Sequence, residues 1–153
     1  MARYRATLET PRSPEEVFRY LSDFSTTREW DPGVITAERL TDGTVGMGSE
    51  FSLVARFLGR DAQLTYRVVE YDPPHAVTVL GENATVISRD RITFEPSGGG
   101  TRITYDAELT LRGVMRLADP LLGLAFRPVG DRALEGMKRA LSAERGALAA
   151  HPG

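Results

Sequence analysis

Hydrophobic and polar residues alternate along most of the chain, a pattern typical of half-buried β-strands. Near the N-terminus, Tyr4, Ala6 and Leu8 alternate with charged or polar neighbours, which places the two sets on opposite faces of a sheet. The same period of two recurs after residue 33, between clusters rich in Gly, Pro, Asp and Ser that favour turns. We predict seven strands, over residues 1–10, 34–40, 49–58, 62–71, 76–81, 86–94 and 102–112. Because the connections after residue 33 are short, the strands are expected to form an antiparallel meander.

A period of three to four residues indicates helices in two places. After the first strand, Ser13, Pro14 and Glu16 form a helix start, with Ser at the N-cap and Glu three residues later. We expect this helix to end before residue 25. A second short helical turn is expected over residues 28–30, where Pro32 and the following glycine prevent its continuation.

The last third of the chain predicts two helical segments, over residues 113–119 and 120–142. The longer segment has an apolar stripe at steps of three and four, made of Leu122, Phe126, Val129, Ala133, Met137 and Leu141. Pro120 suits a first helical position, whereas Pro128 lies inside the pattern and removes an internal hydrogen bond. We therefore expect a kink or a restart of the helix near residues 126–128.

Length and composition favour one globular domain. The 153 residues are 41% hydrophobic and 26% charged, which suffices for a single core, so we predict a domain over residues 1–145 and a flexible tail over residues 146–153. A net charge of −2 without a basic cluster argues against nucleic acid as a partner. The sequence has no signal-peptide pattern and no apolar run of membrane-spanning length. We expect a cytoplasmic protein, monomer or homodimer, that does not insert into membranes.

The absence of cysteine and the scarcity of histidine argue against several kinds of functional site. The chain has no cysteine, which excludes disulfides, thiolate catalysis and iron–sulfur clusters. Its two histidines, His75 in a turn and His151 in the predicted tail, are too few for a metal site or a His-based triad. The glycines within residues 43–48 precede a strand, whereas a dinucleotide-binding loop opens a helix. We therefore predict no metal and no cofactor.

Several short motifs mark the turns and helix junctions of this arrangement. They are Trp30-Asp31-Pro32, the turn over residues 43–48, the segment over 69–74, the hairpin over 94–101 and Asp119-Pro120-Leu121-Leu122. Together with the order of elements, they resemble the SRPBCC superfamily over residues 3–142, and the chain looks most similar to the polyketide cyclase/dehydrase-like group. The resemblance implies an α+β helix-grip fold, also called START-like or Bet v-like. In it, a curved seven-stranded antiparallel sheet wraps around a long C-terminal helix, two short helices follow the first strand, and a cavity holds an apolar or amphipathic small molecule.

Strand alternation independently indicates which side chains face this space. The candidate ligand-binding residues are Trp30, Phe51, Leu53, Phe57, Tyr66, Ser88, Asp90, Tyr105, Leu122, Phe126 and Met137. Trp30 either closes the mouth of the cavity or ties the short helices to the sheet. Met137 is a flexible apolar side chain on the inner helix stripe, which suits a pocket that accepts several ligands.

Four polar residues are candidate catalytic groups. Ser88 and Asp90 share the inward face of the strand over residues 86–94, where hydrocarbon is the usual lining, and buried polar groups are costly unless paired. They either orient a ligand, or a β-bulge turns them outward, or Asp90 pairs with a neighbouring arginine near the wet end of the strand. Tyr66 and Tyr105 either donate hydrogen bonds to a ligand carbonyl, as a cyclase requires, or are core tyrosines whose hydroxyls reach solvent or backbone.

Three classes of function remain open at the level of sequence. The leading hypothesis is a protein that binds a hydrophobic small molecule, polyketide-like, aromatic or lipid, between the sheet and the C-terminal helix. The alternative is a polyketide cyclase, aromatase or dehydratase that uses the tyrosine, serine and aspartate groups of the cavity. The third is an interaction module associated with ribosomes or chaperones, which requires an exposed apolar or single-sign patch, and no such patch is evident in the sequence.

Overall fold

The structure, a computed structural model, describes residues 1–57, 59–113, 117 and 119–142. Its strands are β1 (Ala2–Thr10), β2 (Val34–Arg39), β3 (Glu50–Phe57), β4 (Arg60–Asp72), β5 (Ala76–Glu82), β6 (Val86–Ser97) and β7 (Gly100–Leu111). Its helices are α1 (Pro14–Ser22), α2 (Thr27–Trp30) and α3 (Asp119–Ser142), with a 3-10 turn at Phe24–Thr26 between the first two. The predicted α+β order, with short helices after the first strand and a long helix at the end, is confirmed.

The seven strands form one curved antiparallel sheet in the order β1-β7-β6-β5-β4-β3-β2. Register shifts between Val34 and Thr36 and between Val68 and Glu70 mark β-bulges, which bend and twist a sheet locally. Strand ends differ from the prediction by up to three residues. Strand β6 continues to Ser97, because it pairs with β7 up to the tight turn that follows.

The concave face of the sheet carries the hydrophobic core. Its buried side chains include Phe51, Leu53, Val68, Val79, Ile92, Phe94 and Ile103. Helix α1 covers one end of this face, where the Phe18 ring lies 5.3 Å from the rings of both Tyr71 and Phe94. The opposite face carries exposed ion pairs such as Arg3–Asp106 at 2.7 Å, and such pairs contribute about 0–1 kcal/mol each.

Side-chain caps determine where the short helices begin. The Oγ of Ser13 accepts a hydrogen bond from the backbone N–H of Glu16 at 3.2 Å, and Pro14 occupies the first turn, as predicted. The carboxylate of Asp23 accepts from the backbone N–H of Ser25 at 3.1 Å and starts the 3-10 turn. These caps satisfy N–H groups that have no partner within the helix. They place α2 so that Trp30 enters the core.

Helix α3 packs against β1 and α2. It is continuous through Pro128, so the predicted restart near that residue is not found. Two glycines allow a close approach: a Cβ at Gly136 would lie 1.7 Å from the carbonyl oxygen of Trp30, and one at Gly130 would lie 2.5 Å from the ring of Tyr4. The backbone of α3 therefore contacts its neighbours directly at these two points.

Arg12 links the start of α1 to the end of α3. Its Nε donates a hydrogen bond to the carbonyl oxygen of Leu141 at 2.7 Å, and its Nη1 donates to Glu16 at 2.5 Å. The last carbonyl groups of a helix have no intrahelical donor and carry partial negative charge. The buried guanidinium therefore caps α3 at its C-terminal end.

Three leucines near the start of α3 are exposed. Leu117, Leu121 and Leu124 have 89%, 71% and 78% of their surface accessible, so apolar side chains are exposed near this end of the helix. The helical periodicity correctly predicted that Leu122 is buried, but it did not indicate that Leu121 and Leu124 are exposed. The predicted helical segment over residues 113–119 lies largely outside the described residues, and the predicted tail over 146–153 lies entirely outside them. None of the described helices combines the length and apolar character needed to cross a membrane.

We expect Gly136→Ala to destabilise the fold by about 3 kcal/mol or more, because the atom opposing the new methyl group belongs to the backbone of Trp30. Gly123→Ala is the matched control on the same helix, since nothing lies within 4 Å of the position. It should leave stability unchanged or raise it by up to about 1 kcal/mol. Urea unfolding of both variants measures the difference, and equal midpoints would contradict the direct contact between α3 and α2.

Candidate functional site

A buried carboxylate, Asp90, lies on the concave face of the sheet in strand β6, with only 6% of its surface exposed. The Oγ of Ser88 donates a hydrogen bond to Asp90 Oδ1 at 2.9 Å, and the hydroxyl of Tyr105 donates a short one to Oδ2. Each carboxylate oxygen therefore has a hydroxyl partner, as the burial of an acidic group requires.

The regular alternation of β6 explains why Asp90 points inward. The strand pairs with β5 and β7 without a register shift, so Ser88 and Asp90 lie on one face and Arg89 and Arg91 on the other. Arg91 binds Glu70 on the outer face, with 2.9 Å between Nε and Oε1. The alternative in which a bulge or an arginine partner takes Asp90 out of the interior is therefore wrong.

Tyr66 extends this cluster from strand β4. Its side chain lies close enough to Ser88 for that hydroxyl to lower the pKa of Tyr66 against the larger upward effect of burial, although β5 lies between β4 and β6 in the sheet. Gly81 of β5 is paired in register with both residues, and a Cβ at Gly81 would lie 2.4 Å from the ring of Tyr66. The missing side chain at Gly81 is what allows the phenol to cross the intervening strand.

A second carboxylate, Asp31, joins the cluster from the C-terminal end of α2. Its Oδ1 accepts a hydrogen bond from the backbone N–H of Gly33 at 2.9 Å. Burial raises the pKa of Asp31, and the hydrogen bond from Gly33 opposes that rise. The charge of Asp31 raises the pKa of Asp90, Tyr66 and Tyr105, so two acidic groups influence the same set of hydroxyls.

The electrostatics of the cluster follow from burial. Burial raises the pKa of Asp90 from 3.8 to about 6; the hydrogen bonds from Tyr105 and Ser88 oppose the shift, and the charge of Asp31 adds to it. Burial and then the charge of Asp90 raise the pKa of Tyr66 and Tyr105. Asp90 therefore exchanges its proton near neutral pH while both phenols keep theirs, which suits an acid–base group.

A narrow gap separates the sheet from α3 beside this cluster. Its lining residues are Tyr4, Trp30, Tyr105, Gly130, Ala133, Leu134 and Met137. The gap has no room for a water molecule, so the open cavity implied by the resemblance is not present between these side chains. Tyr105 belongs to both features, because its ring lines the gap and its hydroxyl binds Asp90.

The predicted site residues fall into several groups. Tyr66, Ser88, Asp90 and Tyr105 meet in the cluster; Trp30, Tyr105 and Met137 line the gap; Phe51, Leu53 and Leu122 are buried; and Phe57 and Phe126 are half-buried. The Trp30 ring contacts the rings of Phe24 and Tyr105, and its Nε1 donates to Thr26 at 3.3 Å. Trp30 thus ties α2 to the sheet. The roles of all these residues in binding or catalysis stay predictions.

The sequence pattern does not mark every member of the site. Asp31 lies in a predicted turn and Gly81 at the end of a predicted strand, so neither stands out by its spacing. Tyr4 lines the gap, and its hydroxyl donates to Asp131 of α3 at 2.7 Å. Burial, together with that hydrogen bond, raises the pKa of Tyr4 to about 12. The period of two in β1 already placed Tyr4 inward, so this signal was available. Leu134 flanks the predicted helix stripe, and the stripe alone did not select it.

The acidic and histidine side chains of residues 1–57, 59–113, 117 and 119–142 include no group of three that gathers closely enough to hold a metal ion. Asp31 and Asp90 are the carboxylates of the cluster, and their described partners are hydroxyl or backbone N–H groups. The site described here offers proton exchange and hydrogen bonding.

Comparisons with known proteins agree with this architecture. The sequence profile of the family described as polyketide cyclase/dehydrase and lipid transport matches residues 1–142. An uncharacterized protein of Mycobacterium tuberculosis is 31% identical over 137 residues, which cover 86% of this chain and 91% of that protein.

Two solved structures show the same fold. A START superfamily protein from Mycobacterium smegmatis superposes with a TM-score of 0.71 at 17% identity, covering 97% of this chain and 98% of that one. The Zhui aromatase/cyclase from Streptomyces sp. R1128 superposes with a TM-score of 0.76 at 13% identity, covering 91% and 92%. At these identities the likeness extends to the fold alone.

The raised pKa of Asp90 predicts how Asp90→Asn changes the pH dependence of stability. Below about pH 4 the carboxyl is protonated in both the folded and the unfolded chain. Between about pH 4 and 6 the folded chain retains a proton that the unfolded chain releases, so ionisation increasingly opposes folding as pH rises. The free energy of unfolding of Asp90→Asn, relative to that of the original chain, should therefore increase from pH 4 to pH 7, by about 3 kcal/mol at most.

Urea unfolding at a series of pH values measures this difference. Asp42→Asn is the control, because Asp42 is exposed and lies outside the cluster. The free energies of unfolding of Asp90→Asn and of the original chain could instead differ by a constant amount from pH 4 to pH 7. That result would show that folding does not disfavour the ionised form of Asp90.

Proposed function

We propose that this chain, which belongs to the polyketide cyclase/dehydrase and lipid transport family, binds a hydrophobic small molecule between the concave face of its sheet and helix α3. The observation that carries the proposal is the buried cluster around Asp90. A carboxylate whose pKa is raised to about 6 opposes folding near neutral pH. Groups that oppose stability in this way are concentrated at functional sites.

The position of Tyr105 supports this location. Its ring lines the gap under α3 together with apolar side chains, and its hydroxyl reaches Asp90. Apolar walls with a few convergent polar groups are the usual composition of a small-molecule site. A ligand held against α3 would therefore meet both hydrocarbon and the polar cluster.

Binding at this place requires α3 and its side chains to move, since the gap has no room for water. Met137 and Leu134 are flexible apolar side chains that can change rotamer. The α3 residues that line the gap, from Gly130 to Met137, follow Pro128, which lacks the N–H that would bond within the helix. This missing hydrogen bond eases bending of α3 next to the gap. The ligand takes the place of side chains that fill the space when the site is empty.

A second candidate function, ring closure of a polyketide-like substrate, is favoured by the pKa of Asp90. A group with a pKa of about 6 can accept a proton from a carbon between two carbonyl groups near neutral pH. Tyr105 stands between the gap and Asp90 and relays that proton. The carbanion then attacks a second carbonyl carbon, a carbon–carbon bond forms, and the proton returns to the resulting alkoxide.

Ligand binding predicts a stabilised protein, because a ligand that binds only the folded state raises the unfolding temperature. We expect neutral aromatic and polycyclic compounds to raise it and to quench the emission of Trp30, the single tryptophan, which lines the gap. Leu134→Phe, which adds volume in the gap without adding a tryptophan, should weaken the apparent affinity measured by both effects about tenfold. Leu124→Phe is the matched control, because Leu124 is exposed on the same helix. Identical binding by both variants would place the ligand elsewhere, and no stabilisation by any compound would reject the binding function.

The cyclase alternative predicts that Tyr105→Phe slows product formation from a model poly-β-ketone by about a hundredfold, since the relay to Asp90 is lost. Chromatography of the products against a protein-free incubation measures it. Both the original chain and Tyr105→Phe could instead give the same products as the protein-free incubation. That result would reject catalysis and leave binding as the function.

A further inference from the structure

We propose that the cluster selects ligands that donate a hydrogen bond and carry no negative charge, so that neutral phenols and alcohols are the class this site takes. The inference rests on the ligand-binding function proposed above. It adds the chemistry of recognition, which neither the fold nor the family specifies.

Two hydroxyl protons of the cluster are already donated to Asp90. Tyr105 has one, which it donates to Asp90 Oδ2, and Ser88 has one, which it donates to Asp90 Oδ1. With those protons committed, the two hydroxyl oxygens offer only lone pairs to a third group. Tyr105 and Tyr4 are the hydroxyl-bearing residues that line the gap, and the proton of Tyr4 is donated to Asp131. The hydroxyl surface that a ligand meets in the gap is therefore made of acceptors, and a ligand satisfies it by donating.

Tyr105 lies in the gap beside Trp30. Its ring centroid lies 6.0 Å from that of Trp30, and both side chains line the space under α3 together with Met137. A planar aromatic ligand between these side chains has apolar contacts on its faces. Its edge points toward the Tyr105 oxygen, where a hydroxyl group on the ligand completes the chain from ligand to Tyr105 to Asp90.

The charges that act on the cluster are negative. The carboxylates of Asp31 and Asp90 both act on this set of hydroxyls. The arginines next to Asp90 in sequence, Arg89 and Arg91, lie on the opposite face of the sheet, where Arg91 is bound by a glutamate. A ligand carboxylate brought into this interior meets negative charge, and an uncompensated buried charge is strongly unfavourable.

Three probes of nearly equal size separate donor from charge. 2-Naphthol is neutral at pH 7.5 and donates a hydrogen bond, 2-methoxynaphthalene is neutral without a donor, and 2-naphthoate is an anion. We expect 2-naphthol to bind about tenfold more tightly than 2-methoxynaphthalene, as one buried hydrogen bond predicts. 2-Naphthoate should bind at least about tenfold more weakly than 2-methoxynaphthalene. Isothermal titration calorimetry, with quenching of Trp30 as a second readout, measures all three with the unmodified chain.

Two variants test the source of the selectivity. In Asp90→Asn, the side-chain NH2 donates to one of the two hydroxyl oxygens. That hydroxyl no longer donates to residue 90, and its proton can point toward the gap. It should bring the affinities of 2-naphthol and 2-methoxynaphthalene within about twofold and raise that of 2-naphthoate. Tyr105→Phe removes the acceptor and should abolish the preference for 2-naphthol, with circular dichroism to show that each variant is folded.

The outcomes are distinguishable. Binding of the three probes with equal affinity, or a preference for 2-naphthoate, would overturn the selectivity and leave the binding function intact. Absence of binding by all three, together with no response to other apolar compounds, would overturn the binding function itself. A preference for 2-naphthol that persists unchanged in Tyr105→Phe would show that the donor is recognised by another group and would also overturn the proposal.

Discussion

The burial of one carboxylate constrains the interior of this protein more than any other single feature. Asp90 lies on a regular strand between regular neighbours, so the chain cannot turn it outward without breaking the pairing of β6 with β5 and β7. Its two oxygens must then be satisfied by groups from inside. Ser88 on the same strand and Tyr105 on the adjacent strand provide them. The need to satisfy Asp90 therefore fixes the positions of these two hydroxyls. Because Tyr105 also lines the gap, that need influences the space under α3 as well.

Glycines determine how closely the surrounding elements approach this cluster. Gly81 leaves the space that Tyr66 crosses to reach Ser88, and Gly136 brings the backbone of α3 into contact with the carbonyl of Trp30. At each of these glycines, an aromatic ring or a backbone group occupies the space that a side chain would need. Protein interiors tolerate little excess volume, so a larger residue would not fit there. The helix is therefore held firmly at its C-terminal half, where Arg12 also caps it.

The first half of α3 is constructed differently. It precedes Pro128, and its leucines at 121 and 124 are exposed. A helix with one firmly packed half and one less buried half can separate from the sheet at one end while remaining attached at the other. The gap itself lies under the firmly packed half, because its α3 residues are Gly130, Ala133, Leu134 and Met137. A ligand there would therefore have to displace adaptable apolar side chains such as Met137.

Local patterns in the sequence sufficed for the strands and helices, and the family resemblance supplied their curved arrangement. The period of two predicted all seven strands, short connectors predicted their antiparallel order, and Ser13 with Pro14 predicted the start of α1, because each of these signals depends on residues close together in the chain. The same alternation placed Ser88 and Asp90 on the inner face. The sequence could not show what they bind there, since Tyr105 and Tyr66 come from other strands. Only the tertiary structure brought Asp31 to the cluster, let Tyr66 cross at Gly81 and closed the space under α3. Those outcomes depend on volumes and distances between residues far apart in sequence, which no periodicity encodes.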